Sequence, residues 1–143
     1  MRRRDFAPYH HIGILILRIG LGIMMMLHGY PKLFGGPEMW ADLGTATQSI
    51  GIDFAPVFFG FMASITEFFG GLFLLLGLFF RPALLFLIIV MIVAAASHIA
   101  AGDGFTDISH SVELAIVFTG MLFIGAGEYS LDNKLNNRNR RRY

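Results

Sequence analysis

No cysteine occurs in the 143 residues. Disulfides, thiol redox chemistry, c-type haem attachment and cysteine-held iron–sulfur clusters are therefore excluded on this chain. Charge is also scarce: Asp, Glu, Lys and Arg make up 15% of the residues, and the net charge is +1. The sequence holds no phosphate-binding loop, no nucleophile elbow and no nucleic-acid-binding pattern, so no nucleic acid partner is expected. A redox role would need a quinone, a haem or metal held by His and carboxylate, or a partner protein.

What the chain does have is apolar length. Hydrophobic residues make up 55% of it, mean hydropathy is +0.64, and they come in long blocks. A helix needs about 20 predominantly apolar residues to cross roughly 30 Å of hydrocarbon. Four such stretches use most of the sequence: Ile12 to Tyr30, ending at Pro31; Asp53–Pro56 to about Phe80; Pro82 to about Ala101; and Ser109 to Gly125. Between the first two, Met39, Trp40, Leu43, Thr47 and Ile50 fall near helical spacing, with Trp40 suited to a headgroup boundary. The expected fold is all-α: a polytopic membrane protein, a four-transmembrane-helix bundle with a short interfacial helix between spans one and two. The expected division is a basic N-terminus over residues 1–11, a membrane domain over 12–132 and a basic tail over 133–143, structureless or lying on lipid. The apolar run after Arg2-Arg3-Arg4 continues to Leu27 with no A-x-A cleavage site behind it, which predicts a retained span rather than a signal peptide.

Orientation is read from basic residues. The N-terminus, the Arg81-Pro82 turn between spans two and three, and the tail hold every Lys and Arg except Arg18 and Lys32. The other two loops carry Glu38, Asp42, Asp53, Asp103 and Asp107. Both termini are thus expected in the cytoplasm, with the protein multi-pass in a bacterial inner membrane.

Ionisable residues inside spans are costly and usually mark function or specific pairing. Arg18 and Glu67 lie on glycine-bearing faces of spans one and two (Arg18, Gly22, Gly29; Gly60, Ser64, Glu67, Gly71), which predicts a polar core in which the two pair. The alternative makes Glu67 a proton-carrying or ligand-binding carboxylate. His28, Lys32, His98, His110 and Glu113 cluster toward the outward ends of spans one, three and four. They predict a ligand pocket roofed by the Trp40 connector, suited to a quinone head group or a small anion. Haem ligation or a metal site are the alternatives. A carboxylate-bridged di-metal site wants two Glu-x-x-His pairs, and His110-x-x-Glu113 is a single pair in reversed order.

Several of these residues stand in a recognisable order. Leu17-Arg18-Ile19-Gly20-Leu21-Gly22, then Leu27-His28-Gly29-Tyr30-Pro31-Lys32-Leu33-Phe34-Gly35, resemble the opening of DoxX-type membrane proteins. Glu67-Phe68-Phe69-Gly70-Gly71-Leu72, Gly77 to Pro82, Met91 to His98, Glu113-Leu114-Ala115 and Gly125 to Asp132 continue the likeness over about residues 12 to 132. The resemblance implies a four-helix bundle in the bacterial inner membrane. Proteins of this type include small subunits of a thiosulfate:quinone oxidoreductase and members of oxidative-stress complexes with soluble enzymes. The matching polar positions are Arg18, His28, Lys32, Glu67, Arg81, His98 and Glu113. With no thiol, a persulfide intermediate on this chain is excluded.

Three functions follow as expectations. The first is a membrane subunit linked to quinone-dependent redox chemistry. The second is a non-catalytic anchor or accessory subunit, held to membrane or soluble subunits or to further copies of itself. The third is a small transporter or proton path through Glu67.

Overall fold

The computed structural model describes residues 7–140. Arg2, Arg3, Arg4, Arg141 and Arg142, on which part of the orientation argument rests, lie outside the described residues. Six α-helices follow in order: α1 (Ala7–Phe34), α2 (Gly36–Gly44), α3 (Pro56–Leu76), α4 (Phe80–Ala101), α5 (Phe105–Ile124) and α6 (Leu131–Arg140). A 3-10 segment, Thr45–Ile50, follows α2. Helices α1, α3, α4 and α5 are each long and apolar enough to cross a membrane.

The bundle is apolar on both sides of its helices. Inside, Met25, Leu74, Phe80, Leu84, Leu87, Met91, Phe118 and Met121 form one buried cluster. Outside, Ile16, Phe86, Ile89, Ile116 and Phe123 stand exposed, which suits lipid and would be untenable in water. α1 packs on α3, α3 on α4, and α4 on α5. Where α1 meets α3 the backbones nearly touch: a Cβ added to Gly71 would lie 2.8 Å from the Gly22 carbonyl oxygen. Association in lipid rests on such close packing, because lipid tails offer no hydrophobic gain for bringing helices together.

Several boundaries differ from the sequence expectation, beginning with α1, which starts at Ala7 rather than Ile12 and so takes in residues expected in the basic N-terminus. α1 does not stop at Pro31 but runs on to Phe34. A proline removes one hydrogen bond, here to the Leu27 carbonyl, without forbidding the turn around it. The final turn is held from outside, where the Trp40 indole N–H donates to the Lys32 carbonyl at 2.9 Å. α3 ends at Leu76 rather than near Phe80, because Gly77 takes a left-handed conformation (φ 63). The Leu78 N–H then closes back on the Phe73 carbonyl, a common helix terminator. α5 begins at Phe105, four residues before Ser109, on the extended Gly104.

The tail is the last difference. Through Arg140 it is helical, not structureless. Ser130 caps its start by accepting from the Asn133 N–H at 3.2 Å. The Asp132 carboxylate meanwhile accepts the Phe79 and Phe80 N–H groups at 3.0 and 2.9 Å, capping α4 from another helix. Phe79 itself, in left-handed backbone (φ 45), has no side-chain oxygen with which to cap the helix locally. The connector after α1 is helical in both its parts, but it crosses α3 and reaches α4 rather than lying over α1 and α5.

Candidate functional site

Arg18 and Glu67 are both buried, at 1% and 4% exposure, but they do not pair with each other. In the antiparallel register of α1 on α3, Gly29 sits against Phe68, while Gly22 sits against Gly71 and Leu75. Glu67 therefore faces the last turn of α1, and Arg18 faces the end of α3. The expected Arg18–Glu67 pair is replaced by Lys32–Glu67, with Nζ 2.8 and 2.7 Å from the two carboxylate oxygens. Arg18 and Lys32 share one face of α1 but not one depth. Arg18 and Lys32 are fourteen positions apart, about 21 Å along a helix.

Arg18 is satisfied entirely by backbone. It donates to the carbonyls of Leu74 (3.1 Å), Leu75 (2.9 Å), Ala126 (3.0 Å) and Tyr129 (3.2 Å). The first two belong to the last turn of α3, whose carbonyls lack intrahelical partners and carry the negative end of the helix dipole. The other two belong to the 125–130 loop. Asp132 adds a negative charge acting through space. One guanidinium thus fastens α1, α3 and the loop before α6. This explains the Gly125–Asp132 segment, for which the sequence offered no role.

The Lys32–Glu67 pair has different surroundings. On one side lies a polar cavity of about 160 Å³, lined by Met25, His28, Lys32, Glu67, Met91, Ala94, His98, His110, Ser111 and Leu114. Four of the five residues singled out for a pocket, His28, Lys32, His98 and His110, line it together with Glu67. The His28 and His110 rings stand 5.7 Å apart. His98 Nδ1 lies 2.7 Å from the Asp103 carboxylate, which the Gly102 turn brings back over the end of α4. Asp103 is thereby a member of the site that sequence reasoning left in a loop. Its signal was present: an acidic residue five positions after a histidine, across a glycine helix stop.

Glu113 does not join them. It lies on the exposed face of α5 away from the cavity, while Ser111 is buried, Leu114 half-buried, and His110, though exposed, borders the cavity. Positions three apart differ by about 60° around a helix, enough to put one edge of the pair inside and the other outside. Trp40 does not roof the polar cavity either; its ring packs on Phe61, with centroids 4.6 Å apart. Among the described residues no group of three or more His, Asp and Glu side chains is placed to hold a metal ion.

On its other side the pair closes an apolar groove of about 370 Å³ between α3 and α4, beneath the 3-10 segment. Phe58, Phe59, Met62, Phe86, Ile89 and Val93 supply its walls, and Lys32 and Glu67 its polar end. No sequence signal pointed to this groove, because its lining looks like any other apolar face. Between the levels of Glu67 and Arg18, the seam of α1 and α3 is closed by Gly22, Met25 and Gly71, none of them titratable.

A bundle of four spans, with one charge pair between a polar cavity and an apolar groove, can now be set beside known proteins. The chain is 32% identical over 136 residues to an uncharacterized protein of Haemophilus influenzae, an alignment covering 90% of this chain and 92% of that protein. No solved structure matches it. The DoxX family profile matches residues 13–100, a stretch that includes Arg18, His28, Lys32, Glu67 and His98, and the chain belongs to the DoxX family.

Proposed function

We propose that the protein is a quinone-binding membrane subunit, with the quinone head at the Lys32–Glu67 pair and its tail in the α3–α4 groove. One observation carries this reading: the apolar groove ends at a charge pair that also borders a polar cavity. The groove volume falls in the range of about 300–1,000 Å³ usual for small-molecule sites, and apolar walls with a few polar groups are their usual make-up. Lys32 can donate to a quinone carbonyl, and Glu67 can accept from a quinol hydroxyl, so both forms of the head find a partner. A bound quinone would supply two-electron, two-proton chemistry. The residues of this chain hold the head, shield the tail and, through His98 and its Asp103 partner, connect the head to the polar cavity. The proposed setting is a bacterial inner membrane with both termini cytoplasmic, which turns the polar cavity outward.

Trp40, the single tryptophan, is hydrogen-bonded to the Lys32 carbonyl and reports on the site. A decyl benzoquinone added to the purified chain in nanodiscs should quench its fluorescence saturably. Lys32→Met should weaken binding about tenfold, equivalent to about 1.4 kcal/mol, and Ala94→Phe should abolish it by filling the space beside the pair. Quenching that follows only the partitioning of quinone into lipid, alike in all three proteins, would refute the proposal. The accessory-subunit reading is favoured by one observation of its own, the outward-facing Glu113.

A further inference from the structure

Glu113 is at odds with its surroundings. Among the described residues it is the one exposed carboxylate lying beyond the first turn of a spanning helix. Eight residues separate it from Phe105 at the start of α5, about 12 Å along the axis. Its neighbours on the same face are Ile116 (65% exposed), Val117 and Ile124, with Gly120 two turns on. A Cβ built on Gly120 would meet nothing within 4 Å, so packing within this chain gives no reason for a glycine there. Charged side chains at such depth normally face protein or a water-filled cavity. Here neither the polar cavity nor the apolar groove includes Glu113.

We infer that this face of α5 docks a transmembrane helix of a different protein, one carrying a lysine or arginine at the level of Glu113. Charge decides the class of partner. Among the described residues, a second copy lying parallel to this one offers no lysine or arginine at that level, because Arg18 is buried on backbone carbonyls and Lys32 is bound to Glu67. Arg81 stands in the first turn of α4, at the other end of the bundle. The histidines at this end, His28, His98 and His110, line the polar cavity. The loop before α6 is remote as well, since it lies beside the start of α1, where His11 Nε2 is 3.8 Å from Glu128. A basic partner helix would neutralise Glu113, and Gly120 would let the two backbones approach closely, as small residues do at helix interfaces in membranes.

The absence of cysteine makes labelling selective. The chain carrying Phe105→Cys with a fluorophore, at the exposed start of α5 and clear of the Glu113–Gly120 contact, would be placed in liposomes with synthetic Leu/Ala transmembrane helices. One helix bears a single Lys nine residues from its matching end, and the control bears Leu there. Energy transfer should show the Lys helix binding at least tenfold more tightly than the Leu helix. Glu113→Gln should erase that difference, and circular dichroism should show that variant still folded. Glu67→Gln should leave the difference intact, and since this readout does not involve quinone, it stands apart from the test of the proposed function. Equal binding of the two helices would overturn the inference. So would energy transfer between labelled copies of the chain alone at the same density, which would assign the face to self-association.

Discussion

Two levels of α1 each present a cation to α3, Arg18 buried beside the end of α3 and Lys32, a third exposed, in the last turn of α1, and they put it to opposite uses. At one level Arg18 spends every observed hydrogen bond on carbonyl oxygens of α3 and the 125–130 loop. At the other, Lys32 shares a carboxylate with no backbone partner for its ammonium, and open volume borders the pair on both sides. A charge saturated by backbone fixes architecture. A charge pair between two cavities is available to a ligand. Position in or at the rim of a span, the property by which both were singled out, does not separate the two cases.

The sharpest break in that comparison is Arg18→Gln. Hydrogen bonds from charged donors contribute about 1.5–3 kcal/mol each, and orphaned buried carbonyls add their own penalty. Loss of at least about 3 kcal/mol of stability in detergent is expected, by unfolding in mixed micelles, with α6 released from the α3–α4 turn. Quinone quenching of Trp40 should fall only to the extent that the folded fraction falls. A folded variant with weakened quenching would put Arg18 in the site after all.

A smaller effect is expected at the other end. Lys32→Met and Glu67→Gln should each cost about 1–3 kcal/mol, less than a fully enclosed pair because the lysine side chain is a third exposed. The double variant should recover part of the loss, since each single change strands the other group. Glu67→Gln combined with Arg18→Gln should instead be additive to within about 0.5 kcal/mol. Coupling between Arg18 and Glu67 would contradict the register seen here.

The mildest test concerns α6. Asp132→Ala removes the carboxylate that caps the Phe79 and Phe80 N–H groups. About 1 kcal/mol is expected, the usual worth of a helix cap, with no change in quinone binding. Proteolysis of the tail should become faster. An effect on Trp40 quenching would show that the two ends communicate.

Much of the fold was legible in advance. Blocks of Leu, Ile, Phe and Val marked four spans, and Gly102 and Pro82 marked boundaries that hold to within a few residues. The candidate site was legible in part. His28, Lys32, His98 and His110 share an end because span counting fixes depth, and depth is a property of each helix alone. Glu113 was misassigned because counting fixes depth but not rotation about the axis. The groove and Asp103 were missed for a related reason: one is made of ordinary apolar residues, and the other is returned to its histidine by a turn.

The sequence by itself determined that this chain is apolar enough to cross a membrane four times, and which few charges must be accommodated there. It could do so because transfer into hydrocarbon is close to a sum over residues. Only the tertiary structure decided which charge meets which. That depends on the register of α1 against α3, set by where glycine backbones can touch, and a shift of a few residues would exchange Lys32 for another partner of Glu67.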